Sequence, residues 1–186
     1  MINAKTPIFF LHSAGPQGPH EGSSDLVAWL KRQLGPGVSI VNPVMPKPDD
    51  PDYAGWKAAL KQELAKFEGE VILIGHSLGA SVLLKFLAEE GFRNPIAGLF
   101  LISTPFWGSD DEWGLPEDFA ARLPRIPNVF LYHSTDDPEV SFTHLKRYAA
   151  RLPQAKIREI PGAEHVFSSG LPQLIDDLHS IGLRQP

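Results

Sequence analysis

Cysteine is absent from the 186 residues. That excludes a disulfide framework, a thiolate zinc site and a cysteine nucleophile. There is no basic excess either: Lys and Arg number 17 against 22 Asp and Glu, for a formal charge of −5. The electrostatic footprint of a nucleic-acid binder, a clustered basic patch, is therefore missing. No apolar stretch approaches the roughly 20 residues that a membrane-spanning helix needs. The segment Met1-Ile2-Asn3-Ala4-Lys5-Thr6-Pro7 leads into only a few apolar residues before His12. That is too short for the apolar core of a signal peptide, so cytoplasmic residence is expected. A metal site needs ligands at workable spacing, and neither an H-E-x-x-H motif nor a Cys pair is present, so no metal is expected. Internal repeats at solenoid periods and low-complexity tracts are also lacking.

What remains has the composition of an ordinary globular protein. Hydrophobic residues make up 42% of the chain, enough for one domain over residues 1–186 with a sizeable core. The most informative stretch is Val71-Ile72-Leu73-Ile74-Gly75-His76-Ser77-Leu78-Gly79-Ala80-Ser81-Val82-Leu83-Leu84. A short apolar run ends in G-x-S-x-G, and a helical pattern starts at once. This is the strand–turn–helix context of a nucleophile elbow. The turn must be sharp for the serine hydroxyl to stand clear of the sheet. Side chains two residues before and after Ser77 would then meet neighbouring backbone, which is why glycine suits both places. The new helix directs its unpaired N–H groups at the site, and the Leu78 N–H is placed to donate to an oxyanion.

Along the chain, apolar runs alternate with helical patterns. Strands are expected at Ile8–Leu11, Val38–Val41, Val71–Ile74, Leu99–Ile102, Val129–Tyr132 and, as a half-wet edge, Lys156–Ile160. Helices are expected after a Ser23 or Ser24 cap, after an Asp52 cap, after Ser77, over 142–152 and over 171–181. A short helix is expected within 117–123. The predicted fold is a three-layer α/β/α sandwich on a mostly parallel six-stranded sheet. Ligands of such sheets bind at the carboxyl ends of the strands. The loops at those ends carry His12-Ser13-Ala14, Ser77, Thr104–Trp113, Asp136/Asp137 and His165.

A serine hydroxyl needs a base, and the base needs a carboxylate to orient it. On this fold type the order is serine, acid, histidine. Of the histidines after Ser77, His144 and His179 fall inside predicted helices, away from the rim, and His133 precedes the acid. His165 follows the last strand and is the expected base. The acid is Asp136 or Asp137. Trp107 and Trp113, with Phe119 nearby, read as a short lid or pocket wall. His12, His76 and Phe106 are placed with them around the pocket, although a bland reading suits both His12 and His76, with His76 expected to pack or hydrogen-bond locally.

With these residues assembled, the chain resembles the α/β-hydrolase superfamily. More narrowly, it resembles small single-domain serine hydrolases related to the retinoblastoma-binding serine hydrolase. The likeness is carried by Phe9–Ser13, Met45-Pro46 through Trp56, the elbow, Ser134–Pro138 and His165. It implies a Ser77–Asp137–His165 triad, esterase-type activity without a cofactor, and a second oxyanion N–H from Ser13 or Ala14. Relatives place Val three residues after the acid, and Val140 stands in that relation to Asp137. They also often carry Gly where Glu164 stands.

The expected partner is a small-molecule acyl substrate, with no nucleic acid and no membrane span, and the sequence indicates no protein partner. The expected activity is hydrolysis of small to medium acyl esters. A thioesterase or acyltransferase would use the same machinery, and a binding module of the same fold with little turnover is the alternative from another class.

Overall fold

The computed structural model describes residues 6–108 and 111–183. The N-terminal segment, the chain end, and Ser109 and Asp110 of the aromatic segment lie outside the described residues. Six strands form one sheet: β1 (Ile8–Leu11), β2 (Ile40–Val41), β3 (Val71–His76), β4 (Ile96–Ile102), β5 (Val129–Ser134) and β6 (Lys156–Ile160). Their order is β2-β1-β3-β4-β5-β6, and every pairing is parallel. The connecting helices are α1 (Ser24–Leu34), α2 (Tyr53–Leu64), α3 (Leu78–Glu90), α4 (Phe119–Arg122), α5 (Thr143–Arg151) and α6 (Pro172–Ser180).

The two-residue period of the strands divides the core. Phe9, Leu11, Leu73, Leu99, Leu101 and Leu131 pack toward α2, α3 and α5. Ile8, Phe10, Ile72, Ile74, Phe100, Phe130 and Tyr132 pack toward α1 and α6. Because both faces are covered, the inner strands read as unbroken apolar runs. On the second face Phe100 and Phe130 stack with ring centroids 4.8 Å apart. Asp177 of α6 accepts from Tyr132 and, through both oxygens, from Arg158 of β6, pinning the last helix to the sheet edge.

Local signals account for the helix ends. Asp52 caps α2 by accepting from Gly55 N at 2.7 Å. Trp56, Leu60 and Leu64 form the buried stripe of α2. Gly91 closes α3 at φ 68°. Ser23 precedes α1, but its side chain makes no capping hydrogen bond.

Between β1 and β3 the strand order reverses. From β1 the chain moves to the β2 edge, and from β3 it moves the other way. This switch point opens a crevice at the strand ends. The loop after β1 and Ser77 after β3 are the two segments that line it.

Candidate active site

Ser77 sits on the turn between β3 and α3 at φ 53° and ψ −122°. Left-handed backbone of this kind costs an ordinary residue on the order of 1–2 kcal/mol, and the packing around it holds it there. A Cβ at Gly75 would lie 2.5 Å from Ala80 Cα. A Cβ at Gly79 would lie 2.4 Å from the carbonyl oxygens of both Leu11 and His12. The two glycines thus let α3 press against β3 on one side and β1 on the other. The Ser77 N–H donates to Ile102 O at 2.8 Å, tying the elbow to β4.

His165 leaves the sheet on the loop after β6, between Glu164 at φ 52° and Phe167 at φ 50°. The left-handed Glu164 turns the chain immediately before His165, whose imidazole lies over the strand ends. Ser77 Oγ lies 2.9 Å from His165 Nε2, and His165 Nδ1 lies 2.8 Å from Asp137 Oδ2. An ionised carboxylate only accepts, so Nδ1 carries the proton and Nε2 presents its lone pair to the Ser77 hydroxyl. Asp137 is held from the other side by the N–H groups of Glu139 and Val140, both 2.9 Å from Oδ1. Burial alone would raise the Asp137 pKa. The His165 hydrogen bond and the Val140 and Glu139 N–H groups outweigh it and hold the carboxyl well below the usual range. Asp136 points elsewhere: its carboxylate accepts from the Ser134 hydroxyl and from Glu164 N. Val140 stands where its N–H can reach the carboxylate three residues earlier, a physical reason for the spacing.

Four histidines whose side chains take no part in the Ser77–His165–Asp137 chain lie around these residues. His133 is buried and donates from Nε2 to Val140 O at 2.8 Å, with Asp137 Oδ2 3.4 Å away. His144 opens the first turn of α5, lines the pocket, and accepts from Phe106 N at 2.9 Å. The expectation that His144 lies away from the rim is therefore corrected: the helix starts at the rim. His12 and His76 do not line the pocket, which corrects their placement there. His12 is buried against Trp56 and accepts at Nε2 from Met45 N. His76 is fully buried below His165, because alternation along β3 turns its side chain away from the crevice. Burial first, then the neighbouring His165, pushes its pKa down to about 3.

A pocket of about 360 Å³ opens over Ser77. Ala14, Leu78 and Ser77 form its floor. Phe106, Trp107 and Trp113 supply apolar wall, and Glu139, Val140 and His144 close the far side. Phe119, in contrast, belongs to the core, 1% exposed. Hydrogen bonds hold the aromatic segment at Pro105, Trp107 and Gly114. Trp107 Nε1 donates to Ser81 Oγ, Ser81 and Tyr148 hydroxyls donate to Pro105 O, and Lys85 donates to Gly114 O.

The N–H groups of Ser13 and Ala14 differ. Ser13 N–H is consumed by Ser23 Oγ at 2.9 Å. Ala14 lies on the pocket floor beside Leu78, the first residue of α3, whose N–H has no intrahelical partner. Among the described residues, no group of three or more His, Cys, Asp or Glu is placed to hold a metal ion.

A family model for serine hydrolases matches residues 24–174, which include the elbow, the Asp137 turn and His165. The chain belongs to the serine hydrolase family. The match is to the family as a whole and does not single out the retinoblastoma-binding branch. This serine hydrolase is 27% identical to the YdeN protein of Bacillus subtilis over 165 residues, spanning 82% of this chain and 85% of YdeN. The crystal structure of the ydeN gene product matches with a TM-score of 0.79 at 23% identity, over 95% of this chain and 98% of that one. Mouse alpha/beta hydrolase domain-containing protein 10 matches with a TM-score of 0.64 at 18% identity, over 95% and 90%. At such identities the likeness speaks for the fold, that of the α/β-hydrolases. Among the described residues of this serine hydrolase, no helix is long and apolar enough to cross a membrane.

Sequence reasoning missed Ser23, Glu139 and the pocket role of His144. Ser23 reads as a helix cap, and nothing local reveals that its partner lies 53 residues away. Glu139 Oε2 stands 3.7 Å from His165 Nε2 at the pocket mouth. Its place two residues after the acid is the one signal that could have found it.

Proposed function

We propose that this serine hydrolase cleaves small to medium acyl esters through an acyl-enzyme, with Ser77 as nucleophile, His165 as general base and acid, and Asp137 as the group that orients His165. The observation that carries the reading is the unbroken hydrogen-bond chain Ser77–His165–Asp137, with its serine end open to an apolar pocket.

The chemistry follows from the tautomer. His165 Nε2 takes the Ser77 proton as Oγ attacks the ester carbonyl. Negative charge develops on the carbonyl oxygen, and the N–H groups of Leu78 and Ala14 are the donors for it. Asp137 stabilises the imidazolium. Collapse of the tetrahedral intermediate expels the alcohol, which takes the proton from His165 Nε2, and the acyl group stays on Ser77. Water then repeats the sequence: His165 accepts its proton, the acid product leaves, and Ser77 Oγ regains its hydrogen. The small volume of the pocket and the fastened aromatic wall favour short acyl chains.

Two measurements test this. A fluorophosphonate probe should label the wild-type protein, and Ser77→Ala should lose both labelling and ester hydrolysis while keeping its circular dichroism spectrum. An unlabelled wild type would overturn the catalytic reading in favour of a binding module, and equal labelling of Ser77→Ala would move the activated nucleophile to another residue. Across p-nitrophenyl esters of rising length, kcat/KM should be highest at short chains. An optimum at long chains would show that the aromatic segment yields to form an acyl tunnel.

A further inference from the structure

Below the proposed triad lies a second hydrogen-bonded chain that the mechanism does not use. Ser13 N–H donates to Ser23 Oγ at 2.9 Å, and the Ser13 hydroxyl lies 3.2 Å from the same oxygen. Ser23 Oγ lies 2.8 Å from His76 Nδ1, and His76 Nε2 lies 2.9 Å from the main-chain oxygen of His165. Every side chain in it is buried: Ser23 and His76 are 0% exposed and Ser13 5%. The directions can be assigned. A carbonyl oxygen only accepts, so His76 Nε2 carries the proton and Nδ1 is the acceptor. Ser23 must then donate its hydroxyl hydrogen to His76 Nδ1. It has one hydrogen, which can serve either His76 Nδ1 or the Ser13 hydroxyl, and the shorter contact, 2.8 Å against 3.2 Å, goes to His76.

We infer that His76 is a positioning residue: through Ser23 on one side and the His165 carbonyl on the other, it fixes the oxyanion-side loop after β1 and the base-bearing loop after β6 relative to each other. The inference rests on the proposed triad and deepens it. Three further features support it. The rings of His76 and His165 lie 5.2 Å apart, so His76 braces the base by contact as well as through its carbonyl. Deep burial keeps His76 neutral, which preserves the acceptor lone pair that Ser23 needs. The relay also consumes the Ser13 N–H, and so leaves the next amide, Ala14, as the free donor at the pocket floor. Ser23 fits the same account: it stands at the start of α1 yet makes no cap, its hydroxyl being committed to His76.

The test compares two ester classes, because they ask different things of His165. An aryl ester such as p-nitrophenyl acetate expels a stable phenolate with little need of a proton. An alkyl acetate expels an alkoxide that must be protonated by His165. A misplaced His165 therefore harms the alkyl ester more, whereas a mere loss of folded protein lowers both equally. Ser23→Ala and His76→Phe should each reduce kcat/KM, with the loss on the alkyl ester about tenfold larger than on the aryl ester, within the range of general acid–base catalysis. KM should change little. His76→Gln can still donate to the His165 carbonyl and accept from Ser23, and it should recover most of the activity lost in His76→Phe. Should His76→Phe fail to fold, Ser23→Ala decides, since it removes one oxygen and leaves the imidazole in place.

Folded Ser23→Ala or His76→Phe protein with wild-type kcat/KM on both esters would overturn the positioning role, as would losses equal on the two. Ser77→Ala is measured alongside. Turnover retained in Ser77→Ala would overturn the triad reading and this inference together. Its loss, with the Ser23 and His76 variants unaffected, would overturn this inference alone.

Discussion

Asp136 and Asp137 are neighbours of one chemical type with different surroundings. Asp137 Oδ2 meets His165 Nδ1, and its Oδ1 is fixed by two main-chain N–H groups. Asp136 spends its carboxylate inside the turn, on Ser134 and Glu164. Replacing Asp137 by Asn keeps the shape but offers His165 an amide, which permits the wrong tautomer. In a serine-protease triad that change costs about four orders of magnitude in kcat. Asp137→Asn should lose kcat on that scale, while Asp136→Asn should lose less than about tenfold. Side-by-side kcat values decide, and a crippled Asp136→Asn with a healthy Asp137→Asn would move the acid by one residue. That Ser77, His165 and one of the two acids meet at the strand ends is legible in the sequence, because turn chemistry and chain order both mark them. Ser23 is not, since a serine before a helix is the ordinary signature of a cap and its real partner comes from β3. His144 misleads for a related reason. Residence in a helix says nothing about depth when the first turn of that helix opens at the strand ends.

The elements most visible in the sequence are those whose apolar runs are buried on both sides, β1, β3, β4 and β5. Their ends are less visible. β3 extends to His76, β4 begins at Ile96 and β5 extends to Ser134, because parallel pairing recruits residues that the local pattern leaves neutral. β2 shrinks to Ile40–Val41, the two residues that pair with Ile8 and Phe9. The glycine pattern of the elbow is where an element's packing and its chemistry meet. Ala at position 79 would gain roughly 1 kcal/mol of helix propensity over Gly. Against that stands a Cβ 2.4 Å from two carbonyl oxygens of β1 and its loop. Those oxygens belong to backbone held in the sheet, so the clash wins, at a net cost of about 1–3 kcal/mol. The strand end that moves also carries Ala14, so activity falls with stability. Gly108→Ala, whose Cβ would meet nothing within 4 Å, serves as the control and should stay within about 0.5 kcal/mol of wild type. Urea unfolding of both variants provides the comparison. A Gly79→Ala protein as stable as the control would mean that α3 can shift away from β1 without loss.

For the molecule as a whole, the histidines are set for acid sensitivity. Burial pushes the pKa of His12, His76 and His133 below the ordinary value, and that of half-buried His144 moves the same way. In the unfolded chain each takes up a proton below about pH 6.5, while the native fold keeps it neutral. The unfolded state then binds more protons, so stability falls as pH drops from about 6.5 toward the folded values and does not depend on these groups above it. One full proton of difference between the unfolded and folded states is the upper limit for each histidine, about 1.4 kcal/mol per pH unit. Asp137 acts in a lower window. Its depressed pKa stabilises the fold above the usual carboxylate range, and that contribution is lost only as pH falls through its folded value. Acid unfolding should therefore begin while the carboxylates are still ionised. The urea midpoint should fall steadily between pH 6.5 and pH 5, and unfolding in that window should take up more than one proton per molecule by calorimetry in buffers of different ionisation heat. A midpoint constant from pH 7.5 to pH 5, with no proton uptake, would mean that the buried imidazoles find water or partners when charged, and that the tight packing around His76 relaxes at little cost.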